Sequence, residues 1–473
     1  MKTGVDAWVR DSLDLLAEFQ FSKAGLDVYR RAPIELVPIE EALQLRGPRI
    51  VIPLNVPAPL HLTATRAIPF GGTLLRVWND IDPPGAGWDA IPSGNPLWWR
   101  HSSGTLIPAW NLWSNVRDLL TFREDREIPV RDAHGRLAAE SSPRHAFGLL
   151  EVPVANDANA ALLDAALAME RGQAPQLSIP RAFLQPPSVA LSHDCDQLRG
   201  NDVITQSIRM YRAAKESLAG NAVQAGRHLR AIAQNALAPR RFFAKNLLGM
   251  IDVERQYGFS SVSYFLTGEG GRYGARSGNQ IVEDIVRALP KGWEAGVHYN
   301  YNTVGSKVKI AEEIARISKV AAEPVIAGRA HYLRFDPVTS PRFVETAGIR
   351  YDESVGWASH LSYRAGVAGP FYPFDLKSNS AISVMELPLT CMDASLAGAG
   401  LDKGFNRLFA HLQAVGGLIS VLVHPGAFFN SEFPVYSGIY TRVLGKFRSA
   451  AGRSWTPSQL LEHAEKWRVA RAT

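Results

Sequence analysis

Beyond Ser260 the chain takes on a rhythm that few folds can accommodate. "SSVSYFL" is strand-like, "NQIVEDIVRAL" helical, "WEAGVHY" strand-like and "KVKIAEEIARISKV" helical; "RAHYLRF", the helix "SPRFVETAG" and "IRYDESVG" follow, and "GFNRLFAHLQAVGG" with "LISVLVHPG" closes the series. Apolar strands that alternate with helices of about 10–15 residues are βα units around a parallel sheet or barrel. In such a barrel the C-terminal strand ends converge on one mouth. Chemistry-bearing side chains gather at those ends: His298 in "AGVHYNYN", Arg329, His331 and Arg334 in "RAHYLRFD", Asp352 and Trp357 in "YDESVGW", His424 in "VLVHPG".

The first strand of the series is "VALSHDCDQLRGND", Val189 to Asp202. Side chains alternate along a strand, so Asp194 and Asp196 share a face and His193 and Cys195 take the other. Two carboxylates this close repel unless a cation lies between them or one is protonated. A divalent metal resolves the conflict: one aspartate ligates it and the other handles protons. Standing alone, a pair of aspartates at a strand end is more often a turn or cap device. Cys195 reads as a small buried core residue.

The first 185 residues read as a smaller α/β unit that ends at the linker "QPPS", and residues 186–473 as the barrel unit. Within the first, "RIVIPLNV" is a strand, "NLWSNVRDLLTF" a helix and "NDANAALLDAALAME" a helix capped by Asn156 or Asp157. "GGTLLRVWNDIDPPGAGWDAIPSGNPLWW" is expected to form loops packed by aromatics. Residues 201–256 are helical, with nine Lys/Arg against four Asp/Glu. They read as a solvated insertion, the alternative being a groove for an acidic glycan or a lipid phosphate. "GEGGRYG", Gly268 to Gly274, lacks the lysine-serine ending of a phosphate loop and reads as a βα loop at the mouth. Arg364, Glu386 and Asp393 are charged groups in apolar settings, equally suited to structural ion pairs and to substrate contact.

Composition narrows the function classes. Hydrophobic residues at 46% and charged residues at 20% give a globular chain. A net charge of +6 without any block of like charges is poor support for nucleic-acid binding. Two cysteines cannot staple a secreted scaffold. No stretch approaches the roughly 20 apolar residues of a membrane span, and no secretory leader opens the chain, so a cytoplasmic protein is expected.

The ordered series "SHDCD", "GVHYNYN", "LRFDP", "YDESVGW" and "LVHPG" resembles that of the polysaccharide deacetylases with the nodulation-protein-B homology domain, over about residues 186–430. "NLWSNVRDLLTFREDREIP" and the stretch after it resemble an uncharacterised domain that precedes that unit in some bacterial relatives. The resemblance implies a distorted (β/α) barrel of seven strands and a metal-dependent hydrolase of acyl groups on glycans, such as those of surface-polysaccharide assembly. It implies Asp194 as catalytic base, Asp196 and His298 as metal ligands, and Arg334, with Arg329 as second choice, orienting the base. His424 would be the general acid, Asp352 and Trp357 would support it and wall the groove, and Leu422 would line the acyl pocket. Tyr299, beside His298, is placed with the substrate contacts. Zinc is the expected metal, with cobalt, nickel and iron as alternatives.

One departure from the family pattern stands out. A second histidine four residues after the first is usual there, and this chain has Asn302. An amide oxygen is a poorer zinc ligand than an imidazole. Either Asn302 and water complete the site, or another residue such as His193 does, or metal binding is weak. Two further readings stay open: a glycan-binding or assembly protein that kept the barrel without its full site, and a hydrolase of a small-molecule C–N bond.

Overall fold

A computed structural model gives the fold. It describes residues 4–54, 56–200, 202–237, 242–268, 273–275, 277–303, 305–428 and 434–472, without the side chains of 242, 399–402 and 472. Residues 269–272 of the glycine-rich stretch therefore lie outside the described residues.

Strands β1 (Ser188–Cys195), β2 (Ser261–Leu266), β3 (Glu294–Tyr299), β4 (Ala327–Ala330) and β5 (Tyr351–Asp352) pair in parallel in chain order. β6 is one extended segment in two pieces, Met385–Glu386 and Leu389–Met392. Its first piece pairs with β5 and its second with β7 (Leu418–Leu422), which returns to β1. The sheet thus closes into a barrel of seven parallel staves. Every residue of β1, β2 and β7 is buried, as expected for strands covered on both faces.

Register decides which side chains enter the barrel, because paired residues of parallel strands share a face. Asp194 pairs with Tyr264, Tyr264 with Gly296, and His298 with Arg329. These residues point inward. Their neighbours His193, Tyr299 and Asp352 point outward, toward the helices.

Close approach fixes two glycines. A Cβ on Gly328 would stand 1.8 Å from the Tyr299 hydroxyl, itself held at 2.7 Å from Asp352. A Cβ on Gly296 would meet the Tyr264 ring at 2.5 Å. Gly328→Ala is expected to destabilise the protein by about 1–3 kcal/mol, the usual cost of overpacking. A lower urea midpoint with an unchanged slope is the readout.

The helical stretch after β1 divides into two parts. Phe242–Tyr257 packs on the barrel through Ala244, Leu247, Met250 and Ile251 and is the crossover helix between β1 and β2. Val203–Leu218 and Ala222–Ala236 form a hairpin inserted before it.

The N-terminal residues build a mixed five-stranded sheet. Ile34–Pro38, Arg49–Leu54 and Thr105–Pro108 are parallel, and Trp98–His101 and Trp88–Ile91 add antiparallel strands. The stretch expected to be loops thus contains strands, which its clustered prolines and glycines concealed. Trp98, Trp110 and Trp113 are fully buried and offer no face to a sugar.

Helix Val154–Glu170 is buried from Val154 to Ala168 and forms the hub of this half. Its cap position is Pro153; Asn156 lies inside the helix, where it donates to Ala368 O at 3.1 Å and accepts from Ala368 N at 2.8 Å. Asn159 accepts from the Tyr29 hydroxyl at 2.9 Å, and His411 meets Asp157 at 2.6 Å. One apolar cluster runs from Trp8 to Val415, so the change of architecture near residue 185 is not a break in packing. Among the described residues, no helix is long and apolar enough to cross a membrane.

Candidate metal centre

At the barrel mouth Asp196 meets two imidazoles. Its Oδ1 lies 3.1 Å from His298 Nε2 and 3.5 Å from His331 Nε2. His298 is the penultimate residue of β3, and His331 follows β4 directly. Each histidine uses its other nitrogen on a main-chain carbonyl: His298 Nδ1 on Arg329 O and His331 Nδ1 on Tyr273 O, both at 3.0 Å. These bonds fix the tautomers and turn both Nε2 lone pairs toward the carboxylate.

Asp196 Oδ1 is buried and makes no hydrogen bond, and the three ligand atoms lie within 4.8 Å of one another. A carboxylate oxygen and two imidazole nitrogens placed this way could hold a cation. One carboxylate and two imidazoles suit a catalytic zinc site with open positions. Asp196, His298 and His331 would hold the ion.

Asp194 lies deeper, on β1. It accepts from Arg329 Nη1 at 2.8 Å, and its Oδ2 is 3.7 Å from His298 Nε2. Burial works to raise its pKa, but the Arg329 guanidinium and then His298 override it and hold the carboxyl below the usual range. Arg329 is wholly buried. It also bonds Ser192 Oγ at 2.9 Å, Glu353 O at 3.0 Å and the Glu353 carboxylate, and it stands over the Tyr264 ring at 4.6 Å.

His424 follows β7 and is anchored twice by Asp393, whose Oδ2 accepts from His424 N and pairs with Nδ1, each at 2.9 Å. Its Nε2 then faces the mouth, 3.9 Å from Asp196 Oδ2. Burial lowers the pKa of this imidazole, but Asp393 and then Asp196 outweigh it and push it up to about 10. The mouth therefore holds an ionised carboxylate able to take a proton and an imidazolium able to give one.

Several expected residues stand elsewhere. Asn302 is exposed, and the second imidazole beside Asp196 arrives from the next strand and not from the next turn. His193 points away from the mouth and bonds Val423 O at 2.9 Å and Glu254 at 2.6 Å. Arg334 donates to Tyr301 O at 2.7 Å and lies over that ring, leaving the base to Arg329.

Asp352 faces outward with Tyr299, away from His424. Its fully buried neighbour Glu386 is pushed well above the usual carboxylate range, first by burial and then by Asp352. Trp357 donates to Leu137 O at 3.0 Å and lies between Arg144 and Arg364, tying the N-terminal half to the barrel. Leu422 is buried against Leu333 and Leu389.

His331, Glu353 and Asp393 were not assigned roles from the sequence. His331 carried a signal, since it stands just beyond an apolar strand. Glu353 could have been found from the two-residue period, which puts Asp352 and its neighbour on opposite faces.

An aromatic cluster borders His331. Tyr273 and Tyr301 lie 4.5 Å apart and His134 and Tyr332 4.8 Å apart, with His134 Nδ1 2.9 Å from the Tyr301 hydroxyl. His134 comes from the N-terminal half, which thus reaches the mouth.

No family model and no curated protein matches the chain. Among solved structures it is similar to a candidate polysaccharide deacetylase from Mycobacterium smegmatis, at 15% identity over 60% of this chain and 92% of that one, with a TM-score of 0.37. It is also similar to the Xyl-CE4 domain of a multidomain xylanase from the hindgut metagenome of Trinervitermes trinervoides, at 12% identity over 59% and 92%, with a TM-score of 0.30. A third is peptidoglycan deacetylase PdaC from Bacillus subtilis, at 12% identity over 62% and 98%, with a TM-score of 0.29. Values this low assign neither fold nor activity; the fold rests on the chain's own strand order.

Proposed function

We propose that the chain is a metal-dependent hydrolase that removes an acetyl or similar acyl group from an amino sugar or glycan, with surface-polysaccharide assembly as its setting. One observation carries this reading. Asp196, His298 and His331 converge on an unbonded carboxylate oxygen, between a base held ionised by Arg329 and an acid held protonated by Asp393. A divalent ion in that group, zinc by its ligand set with cobalt, nickel or iron as alternatives, would polarise the acyl carbonyl and activate water.

Asp194 takes the proton of the attacking water. Arg329 fixes the direction of that carboxylate. His424 delivers a proton from Nε2 to the departing amine or alkoxide, while Asp393 keeps its Nδ1 protonated. The aromatic cluster at the mouth favours a sugar ring over a small acyclic amide, because sugar faces stack on aromatic side chains. Residues 1–185 belong to the proposal as an accessory region that adds His134 to the mouth. Cys195 and Cys391 are buried and unpaired, which suits a reducing, cytoplasmic setting.

The test is acetate release from N-acetylglucosamine oligomers by zinc-loaded protein. Asp194→Asn is expected to lose about 10²–10⁴ of the rate, the span of a general base, while keeping its zinc by elemental analysis. Unchanged release from that variant refutes the assignment. Stoichiometric zinc without release from any acylated sugar or amide favours a binding protein.

A further inference from the structure

The inserted hairpin, Val203–Leu218 with Ala222–Ala236, has no part in the chemistry above. Its inner faces pack on each other through Arg209, Ala213, Ala225, His228, Ala231 and Asn235. None of its residues joins the two large apolar clusters of the molecule. It is rooted at the mouth rim just after β1, where Arg209 donates to Gly200 O at 3.2 Å and stands 5.9 Å from the Phe243 ring.

The outer surface of this hairpin is unlike the rest of the protein. Among the described residues, nine of the 17 exposed large apolar side chains lie between Val203 and Leu237. On the first helix Ile204, Ile208, Tyr211 and Leu218 recur at spacings of four, three and seven and so form one stripe opposite the buried face. Tyr211 is 69% and Leu218 91% exposed. Scattered exposed apolar residues are ordinary; a contiguous stripe marks a contact surface.

The charge is equally one-sided. Residues 203–237 hold five Lys/Arg and one Asp/Glu. Lys215 falls within the stripe by its spacing, and Arg212 and Arg230 are exposed beside the apolar residues.

We propose that this hairpin docks the protein on the surface of a lipid bilayer that carries anionic headgroups. An apolar stripe flanked by basic side chains lies in the plane of such an interface, its apolar face among the acyl chains and its cations among the phosphates. Charge complementarity favours this occupant over a second copy of the chain. Two such hairpins would bring like charge against like, whereas an anionic surface neutralises it. The contact is peripheral. Because the hairpin leaves the barrel at its rim, docking also brings the catalytic mouth close to the lipid surface.

The test is cosedimentation of the full chain with vesicles of phosphatidylglycerol mixed with phosphatidylcholine, against phosphatidylcholine alone. Binding is expected to the mixed vesicles and to weaken as salt is raised. Ile208→Glu with Tyr211→Glu is expected to reduce partitioning at least about tenfold, and Lys215→Glu with Arg230→Glu at least about 25-fold, at roughly fivefold for each of the two positive charges lost. Unchanged circular dichroism and unchanged hydrolysis of a soluble substrate would assign the loss to the surface. The comparison of the two lipid mixtures needs no variant, so it stands if a variant misfolds. Absence of binding to the mixed vesicles overturns the proposal, as does equal binding to both mixtures. So does a dimer that the Ile208/Tyr211 variant dissolves without any vesicle binding, which would give the face to a second copy. The outcome is independent of whether the mouth is a deacetylase site.

Discussion

Replacing His331 by alanine is expected to lower zinc affinity by more than a hundredfold, whereas Asn302→Ala leaves it within about a factor of two. Loss of an outer-shell partner alone costs roughly 10–100-fold, so loss of a ligand costs more. His331 Nε2 faces the Asp196 oxygen at 3.5 Å, and its ring is fixed from behind by Tyr273 O. Alanine removes an electron pair and leaves a carboxylate and one imidazole, too few for a stable zinc site. Asn302 is exposed. Competition with a chelating dye measures both affinities. Equal loss in the two variants, or loss only in Asn302→Ala, would return the third ligand to the loop after β3.

The contrast between these two residues shows what the sequence reveals and what it hides. The βα alternation was readable because strands buried on both faces are continuous apolar runs, so the staves β1, β2, β3 and β7 stand out. β5 has two paired residues and β6 is interrupted, and short strands carry little periodic signal. Closure of the barrel through β6 is a property of space and not of any local stretch. Facing was partly readable: alternation separates Asp194 from His193, and in the structure one meets Arg329 and the other Glu254.

In the "YDES" stretch the same alternation puts Asp352 and Glu353 on opposite faces. There the inward carboxylate is Glu353, and Asp352 belongs with Tyr299 and Glu386 on the outer face. The family's four-residue spacing points to Asn302, although a mouth can draw its next ligand from the adjacent strand. The Asp393 contact with His424 joins residues 31 apart through the pairing of β6 with β7, which no linear motif records.

The second large effect concerns Arg329. Arg329→Met is expected to destabilise the metal-free protein by about 3–5 kcal/mol, the usual cost of stranding buried charge. The guanidinium is fully buried between the carboxylates of Asp194 and Glu353. Lysine is no substitute, since one ammonium cannot reach Asp194, Ser192, Glu353 and the Glu353 carbonyl at once. The double variant Arg329→Met with Glu353→Gln removes one stranded charge and is expected to recover part of the stability in denaturant titrations. It does not recover hydrolysis, because Asp194 is still without the group that holds it ionised and aimed. Recovery of stability without activity separates the two duties of this arginine: it balances charge in the barrel, and it sets the base. If Arg329→Met alone kept both stability and rate, Arg329 would have neither duty, and the orientation of Asp194 would have to come from His298 alone.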